Sequence, residues 1–205
     1  MLYNVFRLIA LLFFRFYSIM RVEGDDQFPT DEAFILAPNH FSNIDVFILL
    51  AAVKIEFYTF GKIELFRNPI LKLFAIKLNA IPVNRKGFCR HAFMAATTIL
   101  QQNKILAIFP EGTVCKDEKM GQFKLGVAKL ALETNVPIIP VAIIGSNRVL
   151  PLGNMIPRPH RVFVKFGQPI YVENYEQGYD KRKLKEVTEK LRNEVLKLIN
   201  SHNPL

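Results

Sequence analysis

The chain has 205 residues, half of them hydrophobic and 22% charged, so it is long enough to bury a sizeable core without disulfides and contains no disordered or low-complexity section. Its formal net charge of +9 favours an anionic partner, which could be nucleic acid, a phospholipid surface or a phosphorylated substrate. The basic residues are scattered and no stretch matches a nucleic-acid-binding motif, which argues against nucleic acid.

The first twenty residues are mostly apolar, but arginines at 7 and 15 leave too short an apolar run for a spanning helix. No small-residue cleavage site follows, so a signal peptide fits badly. On a helical wheel the polar residues Asn4, Arg7, Arg15 and Ser18 share one arc. The pattern predicts an amphipathic helix that lies in a membrane interface with its arginines toward the headgroups, or one that packs on its own domain.

Strand and helix patterns alternate along the rest of the chain, which predicts an α/β fold. Short apolar runs bounded by Pro, Gly or Asn, and one alternating run, predict strands at 34–37, 105–109, 138–144 and 162–166, with a further strand at 81–85. Helical spacing predicts helices near 44–53, 69–78, 88–101, 124–134 and 181–200.

Cysteine and histidine usage gives further bounds on the chemistry. Cys89 and Cys115 form no C-x-x-C pair, which suits a reducing compartment. None of the four histidines belongs to an H-E-x-x-H arrangement, so we expect no metal site.

The stretch NHFSNID places His40 and Asp45 five positions apart at the end of a predicted strand, where ligands gather in an open α/β sheet. Asp45 also fits an S-x-x-D capping box beginning at Ser42, and His40 could be an ordinary loop histidine. The two roles of Asp45 are compatible, because a carboxylate in the first helical turn faces the loop that carries His40. A histidine oriented in this way can accept a proton from a substrate hydroxyl.

Two further motifs follow predicted strands. FPEGT contains Glu111, which can accept hydrogen bonds from substrate hydroxyls, and Gly112, which lets the backbone approach a ligand. IPVNR ends in Arg85, a suitable bidentate partner for phosphate. Either charge could instead lie on the surface, perhaps paired with the other, but chance explains poorly their joint occurrence at strand ends.

With these blocks in hand, the sequence resembles the bacterial 1-acyl-sn-glycerol-3-phosphate acyltransferase family over about residues 33–169. The blocks NHFSNID, NAIPVNR, FPEGT and VPIIPV occur in the family's order, and GKIELF and FKLGVAKLALE are similar to its intervening segments. The resemblance implies the glycerolipid acyltransferase fold, a mixed and largely parallel sheet flanked by helices. It divides the chain into an N-terminal membrane-interface segment, residues 1–30, and an acyltransferase domain, residues 31–205.

The resemblance also implies transfer of a fatty acyl group from acyl-CoA or acyl-carrier protein, without a cofactor or metal, to lysophosphatidic acid. The product is phosphatidic acid, which places the protein in phospholipid biosynthesis at the cytoplasmic face of the cell membrane. Carried over by position, His40 is the general base and Asp45 orients it. The implied substrate-binding residues are Arg85, Glu111, Gly112, Thr113 and Lys62.

Two positions depart from the family pattern. Val114 stands where the third block commonly has arginine, and Asn79 stands where the second block commonly opens with glycine. Lys116, Lys119 or Lys124 can compensate for the missing arginine as point charges. Another lyso-lipid acceptor, a covalent mechanism through Cys115, and a non-catalytic phospholipid-binding protein therefore stay open as alternatives.

Overall fold

The computed structural model describes residues 2–29, 31–84, 90–116, 119–172 and 180–202. The strands are β1 (Met20–Glu23), β2 (Ile35–Pro38), β3 (Phe57–Lys62), β4 (Ala80–Val83), β5 (Ile105–Ala107), β6 (Ile138–Ile144) and β7 (Val162–Phe166). The helices are α1 (Leu2–Phe16), α2 (Asp45–Ala52), α3 (Pro69–Lys77), α4 (Arg90–Gln101), α5 (Gly126–Thr134), α6 (Ser146–Val149) and α7 (Lys181–Asn200).

All of these strands join one sheet in the order β1-β7-β6-β2-β5-β3-β4. Strands β2 to β6 run parallel to one another, and β7 pairs antiparallel with β6 while it pairs parallel with β1. The carboxyl ends of β2, β3, β4 and β5 therefore meet at one edge of the sheet, where a ligand site is expected in such folds. This architecture confirms the mixed, largely parallel sheet that the resemblance implies.

Helices cover both faces of the sheet because the central strands are apolar on both sides. Along β2, Leu36 packs into a core with α1 and α2, whereas its neighbours Ile35 and Ala37 pack into a core with α4, α5 and α7. Every residue of β2 is buried. The loop that follows β2 is thus held by a strand fixed on both faces.

Helix α1 packs on its own domain through a narrow stripe. Tyr3, Ala10 and Phe14 are buried, and the Tyr3 hydroxyl accepts a hydrogen bond from the backbone N–H of Phe57 at 3.2 Å. Arg7 lies on the same stripe and is half-buried, while Arg15 is exposed. The polar arc read from the wheel is therefore divided between the packed face and solvent, and Ser18 lies beyond the helix and is buried.

Two strands were not predicted from the sequence. β3 is bounded by no Pro, Gly or Asn at its start, and β1 is a four-residue strand whose alternation is too short to detect. β1 lies within residues 1–30, so this segment contributes a strand to the sheet as well as a helix. The predicted strand at 81–85 is observed as β4, and its final residue, Arg85, lies outside the described residues.

Candidate active site

Asn39 fixes the start of the loop that follows β2. Its side-chain amide donates to the carbonyl of Ile143 at 2.9 Å, and its side-chain carbonyl accepts from the N–H of Ile143 at 2.7 Å. The side chain thereby continues the pairing of β2 with β6 by one further step after the backbone turns away. The sequence analysis assigned no role to Asn39, although its position directly after a buried strand is a usable signal.

His40 and Asp45 are in contact, as the sequence predicts. The His40 Nδ1 atom lies 2.9 Å from Asp45 Oδ2, and both residues are buried. Because an ionised carboxylate only accepts hydrogen bonds, this contact places the ring proton on Nδ1 and leaves the lone pair on Nε2. Among the described residues Nε2 has no hydrogen-bond partner, so it can accept a proton from a substrate.

Asp45 is held by the backbone of the loop that it orients. Its Oδ2 atom also accepts from the N–H groups of Phe41 and Ser42, both at 2.8 Å. The capping box is half formed: the carboxylate closes the turn as predicted, but α2 begins at Asp45 with Ile44 as its N-cap. The Ser42 hydroxyl donates instead to the carbonyl of Leu150 at 2.6 Å. The expectation that Ser42 caps the helix was therefore wrong, since this acceptor takes its hydroxyl.

The loop that follows β5 is joined to the histidine loop by three contacts. The N–H of His40 donates to Glu111 Oε1 at 3.3 Å, and the N–H of Cys115 donates to the carbonyl of His40 at 2.7 Å. The ring of Phe109 stacks on the imidazole of His40, with centroids 4.1 Å apart and planes at 28°. These contacts hold the imidazole between Asp45 and the β5 loop.

Glu111 is almost completely buried, and burial raises the pKa of its carboxyl from 4.5 to about 7. The N–H of His40 and the thiol of Cys115 partly offset that rise, while the charge of Asp45 adds to it. Oε2 of Glu111 is buried and has no partner among the described residues. Near neutral pH this carboxyl is therefore partly protonated, and one of its oxygens is left for another group to bind.

Cys115 lies beside this carboxyl and not in a setting that would activate it. Burial, followed by the charge of Glu111, raises the pKa of the Cys115 thiol. Because the thiolate is the nucleophilic form, the surroundings disfavour a covalent mechanism through Cys115.

Gly112 adopts a backbone conformation that other residues rarely tolerate, with φ at +72°. A Cβ atom at this position would lie 2.6 Å from the ammonium nitrogen of Lys124 and 3.0 Å from its Cε. The glycine thus permits both the turn and the close approach of Lys124.

The remaining predicted site residues are placed less tightly. Thr113 is exposed in the β5 loop, and Lys62 is exposed at the carboxyl end of β3. Both stand at the edge of the sheet that carries His40, but no contact among the described residues brings them to its ring. Arg85 lies outside the described residues, so its predicted pairing with phosphate or with Glu111 has no structural description.

A cavity of about 680 Å³ adjoins the β5 loop. Its walls include Phe109 and Gly112 from that loop and Lys124 beyond it, together with apolar side chains from the sheet and from the helices on its second face. Phe109 therefore separates the imidazole of His40 from this cavity. An apolar space of this size is suited to a substrate with a hydrocarbon chain.

The acyltransferase family model matches residues 19–144. A 1-acyl-sn-glycerol-3-phosphate acyltransferase of Bacillus subtilis is 24% identical over 187 residues, which cover 91% of each chain. A chloroplastic protein of the same description from Arabidopsis thaliana is 27% identical over 71% of this chain. That match covers 41% of the plant protein, so the chain spans less than half of this relative.

A solved structure also matches this fold. The crystal structure of the 1-acyl-sn-glycerophosphate acyltransferase of Thermotoga maritima superposes with a TM-score of 0.82 at 25% identity. The match covers 99% of this chain and 81% of that one. The similarity therefore includes α1 and α7 as well as the sheet.

Proposed function

Because this chain belongs to the acyltransferase family, we propose that it transfers a fatty acyl group from acyl-CoA or acyl-carrier protein to the free hydroxyl of lysophosphatidic acid, forming phosphatidic acid. The observation that carries the proposal is the buried contact of 2.9 Å between His40 Nδ1 and Asp45 Oδ2 at the carboxyl edge of the sheet. The names of the Bacillus subtilis and Thermotoga maritima relatives support the choice of acceptor.

The chemistry that we propose needs one proton acceptor and an activated carbonyl. His40 Nε2 takes the proton of the acceptor hydroxyl, and the oxygen attacks the carbonyl carbon of the thioester. The tetrahedral intermediate then expels the thiolate, which recovers the proton from the imidazolium. Asp45 stabilises the positive charge that the ring carries between these steps. No covalent acyl-enzyme is required.

The other predicted site residues belong to substrate binding in this proposal. Oε2 of Glu111 is without a partner among the described residues, and we place an acceptor hydroxyl against it. Lys62, Thr113 and Arg85 are proposed to bind the substrate from neighbouring strand ends. The apolar cavity beside Phe109 accommodates a fatty acyl chain.

Steady-state turnover tests this function directly. The purified full-length protein is incubated with a long-chain acyl-CoA and lysophosphatidic acid, with thiol release and mass spectrometry of the lipid as readouts. We expect phosphatidic acid from the parent, and a loss of about 10² to 10⁴-fold in kcat for His40→Ala, the range that general acid–base catalysis supplies. His202→Ala, at the other end of the chain, is the control.

Absence of turnover with several donors and acceptors would refute the enzyme and leave the alternative of a lipid-binding protein. Full activity of a folded His40→Ala variant would refute the role of the imidazole.

We further propose that the protein works as a peripheral or monotopic protein at the cytoplasmic face of the membrane. No helix within the described ranges is long and apolar enough to cross a bilayer. Helix α1 nevertheless leaves a wide apolar face exposed, formed by Leu2, Val5, Leu8, Ile9, Leu12, Phe13 and Phe16. Arg15 is exposed at the end of that helix, where a phosphate headgroup can meet it.

Two other elements extend this apolar face. The rings of Phe6 and Phe74 lie 5.1 Å apart and join α1 to α3, which exposes Ile70, Leu73 and Ile76. The Tyr17 hydroxyl donates to the carbonyl of Pro157 at 2.9 Å and joins the end of α1 to a loop in which Met155 and Ile156 are exposed. An apolar area of this extent supports contact with acyl chains.

Sedimentation with anionic phospholipid vesicles tests this placement. Replacing Leu8 and Ile9 by serine should weaken partitioning at least about tenfold, because each aliphatic side chain contributes roughly 1.5–3 kcal/mol when it leaves water. Met94→Ser, an equally exposed position on the opposite face of the sheet, is the matched control. Unchanged partitioning of the double variant would contradict the interfacial position of α1.

A further inference from the structure

We propose that Lys124 binds the phosphate of the acceptor lipid and supplies the positive charge that is missing at Val114. This inference rests on the proposed function and names the group that recognises the acceptor headgroup. The sequence left three lysines as candidates, and the structure distinguishes among them.

Lys124 is the lysine whose ammonium group reaches the site. A Cβ on Gly112 would lie within 2.6 Å of Lys124 Nζ, so the ammonium group lies against the backbone of the loop that carries Glu111. Lys116 and Lys119 are exposed, and no contact among the described residues brings either ammonium group to that loop. The first of the three is therefore the one positioned to act there.

The backbone of Lys124 is fixed to the same loop. Its N–H donates to the carbonyl of Pro110 at 2.9 Å, and the preceding residue, Phe123, is buried in the core. The guanidinium of Arg192 donates to the carbonyl of Gly121 at 3.3 Å and holds the segment from its other side. A lysine anchored in this way presents its charge at a defined place.

The ammonium group also has no competing partner. The side chain is exposed, and within the described part of the chain no carboxylate pairs with it. Lys129, which lines the same cavity, differs in this respect because it lies 3.7 Å from Glu133. An exposed, unpartnered ammonium group at the rim of an apolar cavity is suited to a phosphomonoester on a lipid.

The position suits the acceptor because of the connectivity within lysophosphatidic acid. Three bonds separate the carbon that bears the attacked hydroxyl from the phosphorus atom. A hydroxyl held between His40 and Glu111 therefore carries its phosphate within reach of the same loop. Gly112, the neighbour of Glu111, is the residue against which Lys124 rests.

Steady-state kinetics of the full-length protein test the inference, with lysophosphatidic acid and acyl-CoA each varied in turn. We expect Lys124→Gln to raise the KM for lysophosphatidic acid about 10- to 100-fold, the range for loss of one hydrogen bond to a charged group, with the KM for the donor unchanged. Lys119→Gln, which removes the same charge a few residues earlier, should behave as the parent does. Val114→Arg in the Lys124→Gln background should recover part of the loss.

A second readout does not depend on turnover. Calorimetric titration of the protein with glycerol 3-phosphate should show weaker binding in Lys124→Gln than in the parent and in Lys119→Gln. If the parent binds this ligand through Lys124 but transfers no acyl group, the proposed function fails and the phosphate site stands. An unchanged KM for the acceptor, a rise only in the KM for the donor, or equal binding of glycerol 3-phosphate by parent and variant would overturn the inference.

Discussion

The buried carboxyl of Glu111 makes a pH-dependent contribution to stability that a single substitution removes. Because burial raises its pKa from 4.5 to about 7, the folded protein binds more protons than the unfolded chain between these values. The free energy of unfolding contributed by this group therefore falls as the pH rises through that window. Glu111→Gln keeps an acceptor oxygen for the N–H of His40 but cannot titrate.

The magnitude follows from the size of the shift. A change from 4.5 to about 7 corresponds to roughly 3 kcal/mol, at about 1.4 kcal/mol for each pKa unit. Most of this cost is present at pH 8 and little of it at pH 5. Relative to the parent, Glu111→Gln should therefore gain about 2–3 kcal/mol in free energy of unfolding between pH 5 and pH 8.

Urea denaturation at several pH values measures the difference, with all other carboxyl groups common to both proteins. Glu189→Gln, an exposed position on α7, controls for loss of a negative charge. The reasoning is refuted if the difference between parent and Glu111→Gln stays constant over this pH range, since the carboxyl would then titrate alike in the folded and unfolded states.

Three further substitutions test the contacts around the imidazole. Asp45→Asn should reduce kcat by about 10² to 10⁴-fold while the protein stays folded, because the ring loses the charge that stabilises its protonated form; steady-state kinetics beside a thermal melt would show it, and parental kcat would contradict it. Asn39→Ala should lower the free energy of unfolding by about 2–4 kcal/mol in denaturant titrations, since it leaves the buried N–H and carbonyl of Ile143 without partners. Cys115→Ser should transfer acyl groups at a rate close to the parent's, and loss of activity with retained fold would return the covalent mechanism to consideration.

Much of the fold could be read from local pattern. The strands at 138–144 and 162–166 and the helix at 181–200 occur at the predicted residues, because each is an apolar run or an amphipathic stretch with clear ends. The order of strands could not be read in this way. β1 pairs with β7 across most of the chain, and no local pattern encodes such a partner.

The candidate site was predicted in its central pair and only partly in its surroundings. His40 and Asp45 are close in sequence, so their contact follows from one turn of loop and helix. The contacts of Asn39 with Ile143 and of His40 with Glu111 join segments far apart in the chain, and only the folded sheet brings them together. The resemblance to 1-acyl-sn-glycerol-3-phosphate acyltransferases, drawn from four short blocks, is confirmed by relatives over most of the chain.

The pairing of β1 with β7 has a consequence for how the protein is made. Ribosomes synthesise α1 and β1 long before Val162 and its neighbours, so the edge strand waits for its partner until most of the polypeptide has emerged. Phe57 and Phe74, which α1 contacts, are also translated later. During that interval the apolar helix is uncovered on the nascent chain, and a lipid surface is available to it before its own domain is.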